Sequence, residues 1–558
     1  MKRQYFQINR ITIFLIIFGA ANSLFLSAQT FTSSNLPIVV INTNGQTIVN
    51  EPKITADMGI IDNGPGIRNN LTDPFNHYNG KIGIEIRGSS TQMFPKKQYG
   101  LETRDSLGES SDVSIFGFPA ESDWILSASY NDKTLMRDAL TYTLANSMGR
   151  YASRTRYCEV VINDQYQGVY IFFEKIKRDK NRVNISKLDS TGVTGDALTG
   201  GYIIKVDKLD GSGVDGWNSP FVPYQGAWQR VYYQYHFPKA EDITTAQKNY
   251  IKTFINTVEG NFYVSSFADT VNGYVKYIDV NSAVDFFIIN ELTRNVDGFR
   301  LSMFMYKDKD SKNSKLFLGP VWDFNHGYGN CDYYDAWKTE GWQMDYNTTN
   351  TDFLKTDQFV VPFWWPKLMN DPNFMAKVGV RWTELRKKQL SVTSVNSWID
   401  SVVVLLNEGQ SRNFQKWPIL NTYVWPNYYI GKNYSDEITY LKQWYSDRVS
   451  WMDFKLTGRY LYTPDKTEQV IKNFSMSQNY PNPFNPNTTI SYQLPVNSFT
   501  VLKVYDAIGR ETATLVNEHQ EAGTYSVQFS GKFYSSGIYF YRIHAGEFST
   551  IKRMTLIK

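Results

Sequence analysis

Cysteine and histidine are scarce in this chain, at two and five of 558 residues. Two thiols cannot build a structural zinc site by themselves. Neither His-Glu-x-x-His nor Gly-x-Ser-x-Gly occurs, which removes the zinc-peptidase helix and the nucleophile elbow of α/β-hydrolases. A glycine-rich phosphate loop is missing too. The one Gly-x-Gly-x-x-Gly, at 211–216, runs into Trp217-Asn-Ser-Pro220 rather than a helix, so it reads as an exposed loop and not a dinucleotide fingerprint. An excess of one charge is absent: the formal charge is +4, and it drops to +1 once Lys2, Arg3 and Arg10 of the first 28 residues are taken away. That balance gives nucleic acid no electrostatic footprint. Past residue 28 no apolar run is long enough to span a bilayer, so no transmembrane span is expected in the mature chain.

What is present divides the chain into four parts. Residues 1–28 carry a basic start, the apolar run Ile11–Phe18 and small residues at Ser27-Ala28, the pattern of a secretory signal peptide. Residues 29–460 form the main domain, of α+β class. Apolar residues at three- and four-residue intervals predict helices over Thr134–Met148, Thr244–Val258, Asn281–Thr293 and Asp436–Phe454. The aromatic stretches Phe359–Trp365 and Trp417–Tyr429 read as core and its rim, with a glycan-facing surface as the alternative. Residues 461–473 form a linker. From 474 to 558 the proline-spaced opening Asn479–Pro486 cannot be helical, and alternating segments at Val501–Tyr505, Gly523–Phe529 and Gly537–Ile543 predict a small β-sandwich.

Two aspartates carry the chemistry. Thr293-Arg-Asn-Val-Asp-Gly-Phe299 holds Asp297, and Gly319-Pro-Val-Trp-Asp-Phe-Asn325 holds Asp323. Between them lie a predicted strand Leu301–Tyr306, a charged loop and a returning strand Lys315–Val321, which would set the second aspartate beside the first. Phosphoryl transfer asks for that pair: one carboxylate to orient the attacking hydroxyl, another to hold the metal that neutralises the phosphates. Spacing alone leaves open an ordinary Asp-Gly turn and a strand-end cap. On the phosphate side, the small-polar loop Ser89–Phe94 is flanked by Arg87 and by Lys96-Lys97, so cations and backbone amides converge there. A solvated hairpin with a basic edge is the plainer reading. Lys205 and Asp207 share one face of a strand.

Several segments in order resemble the CotH family of spore-coat-type protein kinases. They are Ile84–Ser90 with Pro95–Thr103, Trp124–Leu126 with Tyr130–Arg137, Val160–Lys175, Gly200–Asp207, and Trp322-Asp-Phe324; a looser likeness extends to Trp444–Trp451. The resemblance implies an atypical protein-kinase-like domain that binds ATP with Mg²⁺ or Mn²⁺ and phosphorylates hydroxyl groups of a protein substrate. It makes Asp297 the catalytic aspartate and Asp323 the metal ligand. Arg87, Lys97 and Lys205 would face the nucleotide phosphates, and Glu174 would stand where ordinary kinases meet adenine. Asn325 occupies a position where many relatives carry a second aspartate; its amide oxygen can ligate a hard cation but brings no charge. A silent surface adhesin or scaffold with the same fold is the other class of function. The tail, through Asn479–Pro486 and the basic end Ile551–Lys558, resembles the type A C-terminal sorting domain of type IX secretion substrates. It implies handling by the type IX machinery and delivery to the outer surface or the medium. In that oxidising setting Cys158 and Cys331 would be free to pair if both lay near the cleft.

Overall fold

The computed structural model describes residues 31–210, 214–457, 474–521 and 523–558. The expected signal peptide and linker, and 211–213 of the glycine loop, lie outside the described residues. The chain forms two compact units, 1–461 and 462–558.

The first unit opens with a closed seven-stranded barrel. Around it run Ile38–Asn42, Ile54–Ile61, Tyr78–Arg87, Gln98–Arg104, Asp123–Ser127, Gln165–Glu174 and Thr155–Ile162. Neighbours are antiparallel except at the closure, where Ile38–Asn42 pairs in parallel with Thr155–Ile162. Alternating aliphatic and aromatic residues such as Ile60, Ile82, Ile84, Leu101 and Phe172 point inward and fill the interior. Closure leaves no free edge to pair with another chain. Tyr78–Arg87 ends at Gly88, whose φ of +99° favours glycine and where a Cβ would collide with Thr91 Oγ1, and the chain turns there into the loop over 89–97.

The helix expected from Thr134 starts later, at Arg137, and runs to Ser147. Asp132 explains the delay: its carboxylate accepts the backbone N–H of Thr134, Met136 and Arg137, and Leu135 adopts a positive φ, so 134–136 form a turn. The other expected helices are found at Thr245–Asn261, Val280–Thr293 and Tyr434–Thr457.

Beyond the barrel lies a five-stranded antiparallel sheet in the order Gly216–Asn218, Tyr232–Phe237, Tyr202–Val206, Met303–Lys307, Leu316–Leu318. Gly216 opens a strand and not a helix, as the loop reading of 211–216 requires. The returning strand is shorter than expected because Gly319 takes a positive φ and Pro320 has no N–H for the ladder. Helix Val280–Thr293, capped by the Asp279 carboxylate on Ser282 N–H, is buried along almost its whole length. Glu291 on it is therefore paired: Arg448 of the long helix reaches it at 3.1 Å with both side chains fully buried. Removing one partner of such a pair typically costs about 3–5 kcal/mol, since a buried charge is left uncompensated. Arg294 ends this helix in the left-handed region and releases the chain toward Asp297. Trp364 and Trp365 are core residues, Trp365 lying 4.8 Å from Phe299 between ring centroids, whereas Tyr423 and Tyr428 are exposed. Cys158 and Cys331 are both free: one packs in the barrel, the other against Val296 and Ala336 in a separate cluster, so the expected pairing is not made.

The second unit is a β-sandwich. Ser475–Met476, Asn487–Leu494 and Gly523–Ser530 form one sheet; Glu511–Gln520, Ser498–Tyr505, Gly537–Ala545 and Phe548–Leu556 form the other. Ile490, Leu502, Tyr541, Ile543 and Met554 share its core. The proline-spaced opening is tied to that core by Asn479, whose N–H donates to Tyr541 Oη at 2.8 Å. Among the described residues no helix is long and apolar enough to cross a membrane.

Candidate active site

A cleft of about 670 Å³ runs between the barrel end and the sheet. Arg87, Lys205, Asp297, Asp323 and Asn325 all line it, together with Lys175, Asp207, Lys208 and Asp138. The hairpin Met303–Lys307/Leu316–Leu318 returns the chain as expected, and Asn295 Nδ2 donates to the Asp323 carbonyl at 3.0 Å, tying the two aspartate-bearing turns together.

Asp297 is held from two sides. Arg300 Nη2 donates to Oδ1 at 3.1 Å, and His326 Nδ1 lies 3.7 Å from Oδ2. Arg300 is itself fixed by Asp357 at 2.9 Å, whose Oδ2 also accepts from Tyr334 and Tyr346. Burial works to raise the pKa of Asp297, but the neighbouring His326 and the Arg300 charge win and hold it well below the usual carboxylate range. For His326 burial opposes the charge, and the Cys331 sulfur and the Asp297 carboxylate outweigh it, so the imidazole titrates well above its ordinary value.

Asp323 is exposed inside the cleft and has a φ of +63°. Desolvation raises its pKa; His326 counteracts this and the Asp297 charge adds to it. Burial and the Asp323 carboxylate likewise push Asp138 up to about 7. In both groups burial is the larger cause and a neighbouring carboxylate adds to it. Asn325 Nδ2 donates to Asn131 Oδ1 at 3.3 Å, leaving its own side-chain oxygen outside that bond, and Asn131 meets His326 Nε2 at 3.0 Å. Two cations also line the cleft, Arg87 from the barrel and Lys205 from the sheet. Arg87 ends its strand with the guanidinium 5.9 Å from the Trp322 ring centroid, and Lys205 pairs with Asp207 at 3.2 Å.

Two expected residues, Lys97 and Glu174, are not among those that line the cleft. Lys97 Nζ donates to Gln92 O at 2.6 Å and closes the 89–97 loop. Glu174 is fully buried, paired with Arg154 at 2.8 Å and Arg182 at 3.2 Å. Their sequence neighbours Lys96 and Lys175 line the cleft. Lys96 is no free cation, because Ala128 O, Asn413 Oδ1 and Val169 O accept from it, and burial pulls it down to about 7.

The family model described as CotH kinase protein matches residues 84–452, about two thirds of the chain. The chain belongs to the CotH kinase protein family. The match takes in the barrel from Tyr78–Arg87 onward, the sheet and every cleft residue named above. A second model, the secretion system C-terminal sorting domain, matches 478–558, which is the sandwich. No curated protein matches this CotH-family chain. The sorting domain assigns the protein to type IX secretion and to the cell surface or extracellular space. Because the sandwich has its own core, deleting 478–558 is expected to leave a folded CotH domain retained in the cell envelope. Immunoblots of periplasm, surface and medium check this, and normal surface yield of the truncated chain would contradict it.

Proposed function

We propose that this CotH-family protein is a secreted, metal-dependent protein kinase that moves phosphate from ATP to hydroxyl groups of proteins, with the barrel and sheet as the two halves of a kinase-like fold. The observation that carries the reading is the meeting of Asp297 and Asp323 in one cleft that Arg87 and Lys205 also line. Among the described residues no three His, Cys, Asp or Glu side chains cluster closely enough to form an all-protein metal cage. Mg²⁺, or Mn²⁺ in its place, is usually held by one or two carboxylates and completed by phosphate oxygens and water. Asp323 and Asn325 would hold it; when bound, it neutralises the developing phosphate charge.

The protein's own residues then do positioning. Arg87 and Lys205 supply cations to phosphate oxygens, Arg87 with a planar fork suited to them. Asp297 accepts a hydrogen bond from the incoming hydroxyl and receives its proton as transfer proceeds. A carboxylate held this acidic is a weak base, and a loose phosphoryl transition state needs orientation from it more than deprotonation. Asn325 favours a second reading, a silent scaffold or adhesin, because it leaves the metal position one charge poorer than an aspartate would.

The secreted protein should bind ATP only with Mg²⁺ or Mn²⁺ and should label itself or co-secreted proteins from γ-labelled ATP. Calorimetry and transfer assays across both metals test this. If neither binding nor transfer is seen, the scaffold reading stands.

A further inference from the structure

Helix Arg137–Ser147 turns three polar side chains, Asp138, Thr141 and Tyr142, toward a single stretch of chain. At i, i+3 and i+4 they share one helix face. Asp138 and Tyr142 are 7% and 1% exposed and Thr141 is fully buried, so each needs a partner. The partners lie within 323–328. Asp138 Oδ1 accepts Phe324 N–H at 2.6 Å, and Tyr142 Oη accepts Asp323 N–H at 3.2 Å. Thr141 Oγ1 and Tyr328 Oη lie 2.9 Å apart, and the Tyr142 ring stacks beside Trp322 at 6.2 Å. Asp323 has a positive φ, a conformation that aspartate reaches more readily than most residues but still less readily than glycine, so fixed backbone partners help to hold it.

We infer that Asp138 and Tyr142 are positioning residues: by gripping two successive backbone N–H groups they hold Asp323 in the left-handed turn that presents its carboxylate to the cleft. The seating of this helix thereby sets whether Asp323 is ready for a cation. The grip itself is a property of the fold; its consequence for activity rests on the kinase reading of Asp323.

The role needs an acceptor at 138 and no charge there, so Asp138→Asn should preserve it and Asp138→Ala should not. In the full secreted protein without nucleotide or metal, hydrogen exchange of a peptide spanning 321–327 should quicken about tenfold in Asp138→Ala and in Tyr142→Phe, in line with one lost hydrogen bond, and stay near wild type in Asp138→Asn. The half-saturating Mg²⁺ for ATP binding should rise about tenfold in Asp138→Ala and be largely restored in Asp138→Asn. Unchanged exchange in both disrupting variants overturns the inference. So does a loss of Mg²⁺ response in Asp138→Asn as deep as in Asp138→Ala, which would make Asp138 a metal ligand. Tyr142→Phe removes only a hydroxyl and carries the exchange test if Asp138→Ala does not fold. Were the wild type to bind no nucleotide, the kinase reading would fall while exchange still decided the grip.

Discussion

Asp297→Asn in the secreted protein is expected to keep metal-dependent ATP binding and to lose phosphate transfer by about a hundredfold or more, the usual cost of removing a positioned acid–base group. The substitution is nearly isosteric, and an asparagine oxygen can still accept from Arg300 Nη2, now at 3.1 Å from Oδ1. Arg300 also keeps its bond to Asp357, so the turn around residue 297 has reason to stay in place. What goes is the negative charge that receives the hydroxyl's proton. Binding should survive because the phosphate-facing cations and Asp323 are untouched. Calorimetry with a non-hydrolysable ATP analogue and transfer of labelled phosphate give the two numbers separately. Transfer within tenfold of wild type would remove Asp297 from the catalytic role; loss of binding as well would place it in the nucleotide site instead.

The aspartate pair was legible because the elements joining it are local. A strand, a charged loop and a strand are written in consecutive residues, and an antiparallel hairpin returns the chain whatever the rest of the fold does. The closed barrel was not legible. Its closure pairs Ile38–Asn42 with Thr155–Ile162, more than a hundred positions apart, and alternation of apolar residues carries no information about which strand a partner is. Helix starts slipped where a side chain competes with the backbone, as Asp132 does before Arg137.

Within the site, two residues sit one position from where they were expected, for one reason. Lys97 and Glu174 each have a neighbour, Lys96 and Lys175, that lines the cleft in their place. Successive side chains along extended chain leave on opposite faces, and nothing local tells which face meets the cleft. Asp138, Tyr142 and Arg300 act through partners far along the chain or in the folded turn, and no spacing announced them. His326 was within reach, lying three residues past Asp323 in the same run, but only the fold shows it beside Asp297.

Asp323→Ala is expected to abolish metal-dependent ATP binding together with transfer. Altering residues that merely orient a metal ligand typically costs about 10–100-fold in affinity, so removing the carboxylate itself should exceed that range. The change should cost on the order of 1 kcal/mol of stability, because alanine tolerates the positive φ at 323 less well than aspartate, and little beyond that. Asp323 is exposed in the cleft, its backbone N–H would keep its bond to Tyr142 and its carbonyl the one from Asn295, and its charge lies among other carboxylates that raise its pKa. The companion change runs the other way. Asn325→Asp should tighten Mg²⁺ in the presence of ATP, since it adds a charged oxygen at a position whose amide contributes none. Asn131 can follow by turning its amide so that Nδ2 donates to the new carboxylate and Oδ1 faces His326, whose raised pKa favours a proton on that side. Mg²⁺ titrations of ATP binding on the three proteins decide the matter. Wild-type binding by Asp323→Ala would mean that the metal position lies elsewhere in the cleft, and weaker Mg²⁺ response in Asn325→Asp would mean that residue 325 contributes through its bond to Asn131 and not as a ligand.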